Sequence, residues 1–206
     1  TRADLHHLAR AVGHRDERGL PGSVLGHLEV AVVERHRPDP DLHLARADRG
    51  IRSVPFKVGF PAASKADFDF CRLLVEDGVI PDDTTIAVLT QARPELIERT
   101  YEAIEGTPRA IVHLYNSTSE TQRRVVFRLD RDGITELAVR GTALCKELAA
   151  GTPTDVVFEY SPESFHHTEL DYALEICEAV AAEWEPTPEE RMIVNLPTTV
   201  EAFPPS

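Results

Sequence analysis

The chain has 206 residues, 42% of them apolar, and 22 Lys and Arg against 35 Asp and Glu, for a formal net charge of −13. That length supplies one core of ordinary size, and the acidic balance argues against a nucleic-acid partner, which needs clustered Lys and Arg. No apolar run approaches the roughly 20 residues that span a bilayer, and no basic stretch followed by an apolar one opens the chain, so it reads as cytoplasmic with no membrane partner.

Residues 1–55 contain no Phe, Tyr, Trp, Asn, Gln, Cys, Met or Lys, yet hold six of the nine histidines. A segment without aromatics is poorly supplied with buriable area. Its apolar run from Val24 to His36 can make a short helix or strand. The histidines His6, His7, His14, His27, His36 and His43 show no repeated ligand spacing, so they do not make a zinc site. We read 1–55 as a leader of unassigned or out-of-frame character, joined near Val54 to Val58 and expected to be poorly ordered, and 56–206 as the patterned unit.

From Phe56 the text alternates strand and helix. Lys57 to Pro61 is a short apolar strand. The helix after it starts at a capping-box-like pair, Ser64 with Asp67, and stops at Gly78. Thr85 to Gln91 is the next strand, and its helix has Pro94 in the first turn and Gly106 at the stop. Arg109 to Ser119 leads through a linker into a helix ending at Gly151. The strand from Asp155 leads into a helix that runs to Trp184, and Arg191 to Glu201 is a last strand. Cys71, Cys145 and Cys177 each fall in a helix, which suits buried reduced thiols.

Five strands alternating with four helices predict a parallel α/β sheet with right-handed crossovers. The strands are near-continuous apolar runs, as sheets covered on both faces require. No turn carries GxGxxG or GxxxxGK[ST], so the nucleotide-binding doubly wound sheet lacks its main support. Polar residues gather instead at the carboxyl ends of successive strands, where a (β/α)8 barrel builds its site. The fold predicted is an incomplete TIM barrel, about strands 2 to 6 of eight.

Side chains two apart on a strand share a face. Ile111, His113 and Tyr115 make one set; Val157, Glu159, Ser161 and Glu163 a second; Ile193, Asn195, Pro197 and Thr199 a third. Turned inward, they line one cavity fit for a small oxygen-rich substrate: Ser161 and Thr199 to bind a carboxylate, His113 to donate to a keto or hydroxyl oxygen, Glu163 to orient a water, a hydroxyl or a charged neighbour. The plainer readings are a Ser-Pro turn and a first-turn acid for Ser161 and Glu163, and a core position for Tyr115. Asn116 to Ser119 reads as a loop that binds an anion or caps, and Arg123 with Arg124 as a solvated pair. His166 and His167 are adjacent at a helix start and point in different directions, which does not favour a metal.

The stretches "VGFPAASKADFDF", "VLTQARPELIERT", "AIVHLYNSTSETQRRVVF", "FEYSPESF" and "IVNLPTTVE", in order from Val58 to Glu201, together resemble the catalytic barrel of the 2-isopropylmalate synthases, within the wider isopropylmalate, homocitrate and citramalate synthase family. That resemblance implies an acyltransferase of leucine biosynthesis that condenses acetyl-CoA with 3-methyl-2-oxobutanoate, with a divalent metal (Mg, Mn or Zn) as Lewis acid and a homodimeric complete enzyme. It places His113 and Glu163 in catalytic positions, and His113, Ser161, Glu163 and Thr199 in the keto-acid pocket, with Tyr115 and Asn195 as weaker candidates. The family's Arg-Asp-Gly strand and His-x-His pair are not found here. The chain by itself is therefore expected to lack metal ligands and synthase activity. Alternatives are a homocitrate or citramalate synthase, another carbon–carbon lyase on this barrel, or a non-catalytic binding protein derived from it.

Overall fold

The computed structural model describes residues 28–31, 56–81 and 84–197. Within them the strands are β1 (Leu28–Ala31), β2 (Phe56–Gly59), β3 (Ile86–Gln91), β4 (Arg109–Ser117), β5 (Asp155–Glu163) and β6 (Met192–Asn195). The helices between them are α1 (Lys65–Glu76), α2 (Pro94–Ile104), α3 (Arg131–Gly151) and α4 (Leu170–Trp184). A π-helical stretch, Gln122–Phe127, occupies the linker before α3.

Local chemistry accounts for the helix ends. Ser64 Oγ accepts from the Asp67 N–H at 3.1 Å, closing the first turn of α1. Asp130 does the same for α3 through the Gly133 N–H at 3.0 Å. Pro94 opens α2, where its missing N–H costs nothing. Gly151 proves to be the last residue of α3, and Thr152 is the cap.

All strands are parallel, and the order is β1-β6-β5-β4-β3-β2. From β2 to β6 the spatial order follows the chain, as in the wall of a (β/α)8 barrel. Of the run from Val24 to His36, Leu28–Ala31 is the strand β1, which pairs with β6 at the edge opposite β2. The other residues of 1–55 lie outside the described residues.

One face of the sheet packs on the helices. Ile86, Val88, Val112, Leu114, Phe158 and Val194 join Ile97, Ile134 and Ile176 in the main core. Each such side chain contributes about 1.5–3 kcal/mol on burial. Tyr101 donates to the Cys145 carbonyl at 2.8 Å and so ties α2 to α3. The opposite face carries a separate small cluster, Ala87, Ile111 and Ile193 with Val157. Alternation has sorted the strands into a helix-covered face and an inner face, and the polar strand ends continue the inner one. The three cysteines are buried and free.

Candidate active site

The β4–β5 register sets His113 opposite Glu159, Tyr115 opposite Ser161 and Ser117 opposite Glu163. β6 joins with Ile193 opposite Glu159. The predicted inner-face residues are therefore neighbours in space. His113 Nε2 lies 2.6 Å from Ser161 Oγ, and Asn195 Nδ2 donates to the same oxygen at 2.8 Å. Glu163 accepts from Ser117 Oγ at 2.6 Å.

Pro162 does not turn the chain early. β5 runs through it to Glu163, in register with Asn116 and Ser117, and Ser164 then adopts a left-handed conformation at φ 61° that ends the strand. Thr118 N–H and Oγ1 both donate to the Glu163 carbonyl, each at 3.1 Å. The strand end is thereby fixed from β4.

Tyr115 is half-buried, edge-on to Phe60 at 6.3 Å between ring centroids. Burial first, and the Glu163 carboxylate second, raise its phenol above the ordinary range. Asn195 keeps one carbonyl oxygen, Oδ1, buried with no partner among the described residues. An orphaned acceptor is costly in a folded core, and a ligand hydroxyl or water would relieve it. Thr199 lies outside the described residues.

Two readings need correction. Asn116 and Ser117 belong to β4 rather than to a loop, and Asn116 accepts from the buried Tyr160 hydroxyl at 2.7 Å on the helix-covered face. Arg123 is buried, not solvated. It donates to Glu169 at 2.7 Å and to the Thr118 carbonyl at 3.2 Å. The π-helical stretch turns Arg123 inward while its neighbour Arg124 stays exposed. Both ring nitrogens of His113 have close polar neighbours, Ser161 Oγ 2.6 Å from Nε2 and a Glu159 carboxylate oxygen 3.3 Å from Nδ1.

Glu159 is the residue that sequence reasoning placed on the right face without giving it a role. It is a buried acid beside a buried histidine. Burial pushes the imidazole down to about 3, with Lys57 adding to the effect. Burial likewise pushes the Glu159 carboxyl up to about 7, opposed by Lys57.

Among the described residues no group of three or more His, Cys, Asp or Glu side chains comes together to hold a metal. The donor set therefore does not fit a divalent cation. A cavity of about 430 Å³ opens at the other, amino-terminal end of the strands, between Arg109, Asp155, Trp184 and Arg191. Barrel enzymes keep their chemistry at the carboxyl end, and no residue of the polar cluster lines this cavity.

A sequential parallel sheet with helices outside and polar side chains at the carboxyl ends of its inner face defines the wall of a (β/α)8-barrel enzyme. The chain belongs to the HMGL-like family, which it matches over residues 24–206. It is 60% identical over 178 residues to the 2-isopropylmalate synthase of Parafrankia sp., covering 85% of this chain and 32% of that protein. It is 61% identical over 152 residues to that of Rhodospirillum rubrum, covering 73% and 27%. The Kineococcus radiotolerans 2-isopropylmalate synthase is 59% identical over 151 residues, covering 73% and 26%. The chain thus spans about a quarter to a third of the length of these curated relatives.

Proposed function

We propose that the chain carries the keto-acid-binding face of a 2-isopropylmalate synthase. In that reaction the methyl carbon of acetyl-CoA loses a proton and attacks the keto carbon of 3-methyl-2-oxobutanoate. Water then splits the thioester, giving 2-isopropylmalate and CoA. The observation that carries this reading is the buried row of His113, Ser161 and Asn195 across three adjacent strands. Such a row offers hydroxyl, imidazole and amide groups to a carboxylate or keto oxygen.

Ser161 and Asn195 bind the keto acid, His113 polarises it through Ser161, and Glu163, held by Ser117, orients a water or the substrate hydroxyl. Tyr115 walls the same end, and Thr199 is assigned to the keto acid by the resemblance alone. The divalent metal implied by the resemblance finds no donor set among the described residues, and none of these roles is routed through it. The same reading makes the working protein a cytoplasmic homodimer with neither nucleic-acid nor membrane partners.

Calorimetric titration of this chain with 3-methyl-2-oxobutanoate, 2-oxoglutarate and pyruvate tests the assignment. Binding of the branched acid that is lost in Ser161→Ala supports it. Preference for 2-oxoglutarate or pyruvate would move the chain to the homocitrate or citramalate branch, and no binding of any 2-oxo acid would refute the site.

A further inference from the structure

The inner face carries a row of buried polar contacts that extends one residue, Glu159, beyond the proposed substrate-binding set. Glu159 Oε1 lies 3.3 Å from His113 Nδ1, and the two side chains are only 8% and 11% exposed. His113 Nε2 lies 2.6 Å from Ser161 Oγ. Ser161 Oγ accepts from Asn195 Nδ2 at 2.8 Å. The hydrogens along this row are interdependent, because a neutral imidazole has one N–H and a serine has one O–H.

Two arrangements satisfy it. With the proton on Nδ1, that N–H donates to the Glu159 carboxylate, and Nε2 accepts the Ser161 hydrogen. With Glu159 protonated, its O–H donates to Nδ1, and the imidazole proton sits on Nε2 and donates to Ser161. The serine oxygen then accepts from both His113 and Asn195, and its own hydrogen is released. One proton from solvent converts the first arrangement into the second.

We propose that Glu159 is a positioning residue that sets the His113 tautomer, and through it decides whether Ser161 gives its hydrogen to the imidazole or to a carboxylate or carbonyl oxygen of a ligand. Partner groups commonly select a histidine tautomer in this way. The row is dry enough to keep the imidazole neutral throughout: burial holds His113 down to about 3. Glu159, raised by burial to about 7, changes charge in the working range. Lys57 of β2 is the charged group acting on both, whereas β6 contributes only the uncharged Asn195, and Glu163 on the same strand as Glu159 is engaged by Ser117. What the released hydrogen does for a keto acid rests on the proposed function; the tautomer itself does not.

Two-bond ¹H–¹⁵N correlation spectra of the histidine-labelled chain, with His113 assigned from His113→Asn, read the tautomer directly. The expected result is a neutral Nδ1–H ring at high pH that converts to Nε2–H on acidification, with a midpoint near the carboxyl value of about 7. Glu159→Gln should make the tautomer independent of pH between about 5 and 8, while Ser161→Ala should keep the titration. A doubly protonated imidazolium at pH ~6, a single tautomer throughout in the wild type, or the wild-type midpoint surviving in Glu159→Gln would overturn the proposal. If Glu159→Gln does not fold, the wild-type and Ser161→Ala titrations decide. Failure of any 2-oxo acid to bind would remove the proposed function and leave this result standing.

Discussion

His113 and Glu163 occupy different stations on the inner face: one joined to Ser161 and Glu159, the other held by Ser117 at the mouth of β5. In a full-length 2-isopropylmalate synthase carrying this segment, His113→Ala and Glu163→Gln should each lower kcat by about 10²-fold, the usual contribution of a positioned acid, base or orienting group. Steady-state kinetics check this, and near wild-type turnover in both would refute the roles. The buried pair also shapes acid stability. His113 falls from its ordinary 6.5 to about 3 on folding, so the unfolded chain binds the extra proton and stability rises with pH between those values. Glu159 rises from 4.5 to about 7, so the native state binds the extra proton and stability falls with pH across that window. The two oppose each other between 4.5 and 6.5. Stability should climb from about 3 to 4.5, run nearly level to 6.5, and decline towards 7. Glu169, held down to about 2 chiefly by its hydrogen bond from Arg123, steepens the acid limb. Urea titrations at stepped pH should show the level stretch replaced by a continued rise in Glu159→Gln. An unchanged profile in that variant would show that the carboxyl is not raised.

At the scale of elements, α3 crosses the sheet where the chain leaves β3. A Cβ on Gly141 would meet the Ala92 Cβ at 3.1 Å and Leu114 Cδ2 at 3.3 Å. The glycine is there for close approach, not for an unusual backbone angle. Gly141→Leu should cost about 1–3 kcal/mol by overpacking, read as a lower urea midpoint at unchanged slope. Phe158 plugs the opposite side of the same layer, fully buried and stacked on Trp184 at 4.3 Å between centroids. Phe158→Ala should cost about 3–5 kcal/mol, and a loss below about 1 kcal/mol would mean that the β5–α4 layer repacks freely. The helix starts at Ser64 and Pro94 and the apolar strand runs were legible because caps and periodicity are properties of neighbouring residues, whereas the Asp130 cap of α3 lay in a stretch read as linker. The π-helical stretch was not legible. Its Arg123 finds its partner in Glu169, 46 residues away.

For the whole molecule, the sheet is open among the described residues: β2 pairs with β3 alone, and its Phe56 is 57% exposed. An uncovered edge with an apolar side chain is a template for pairing with another copy. Sedimentation velocity should show association that grows with concentration and is reduced in Phe56→Lys; a monodisperse monomer at every concentration would contradict this. Among the described residues the same wall brings no group of three or more metal-binding side chains together. Titration calorimetry with Mg²⁺ and Mn²⁺ should accordingly show no stoichiometric site at micromolar metal, and a saturable site would mean that undescribed residues supply ligands.

By itself the sequence determined the order of strands and helices from Phe56 onward, which strand residues share a face, and therefore that His113, Tyr115, Ser161, Glu163 and Asn195 belong to one surface. Those properties repeat every two or 3.6 residues and need no knowledge of distant chain. The tertiary structure alone decided the partners. Sliding β5 by one residue against β4 would keep its composition and reverse its faces, so only the register puts Glu159 against His113 rather than behind it. Arg123 was likewise read as solvated because nothing adjacent to it in sequence marks it for burial, and Glu169 becomes its neighbour only after α4 has packed beside α3. β1, whose apolar run suited helix or strand equally, acquired its conformation from pairing with β6, a contact set by the path of the chain across the whole sheet.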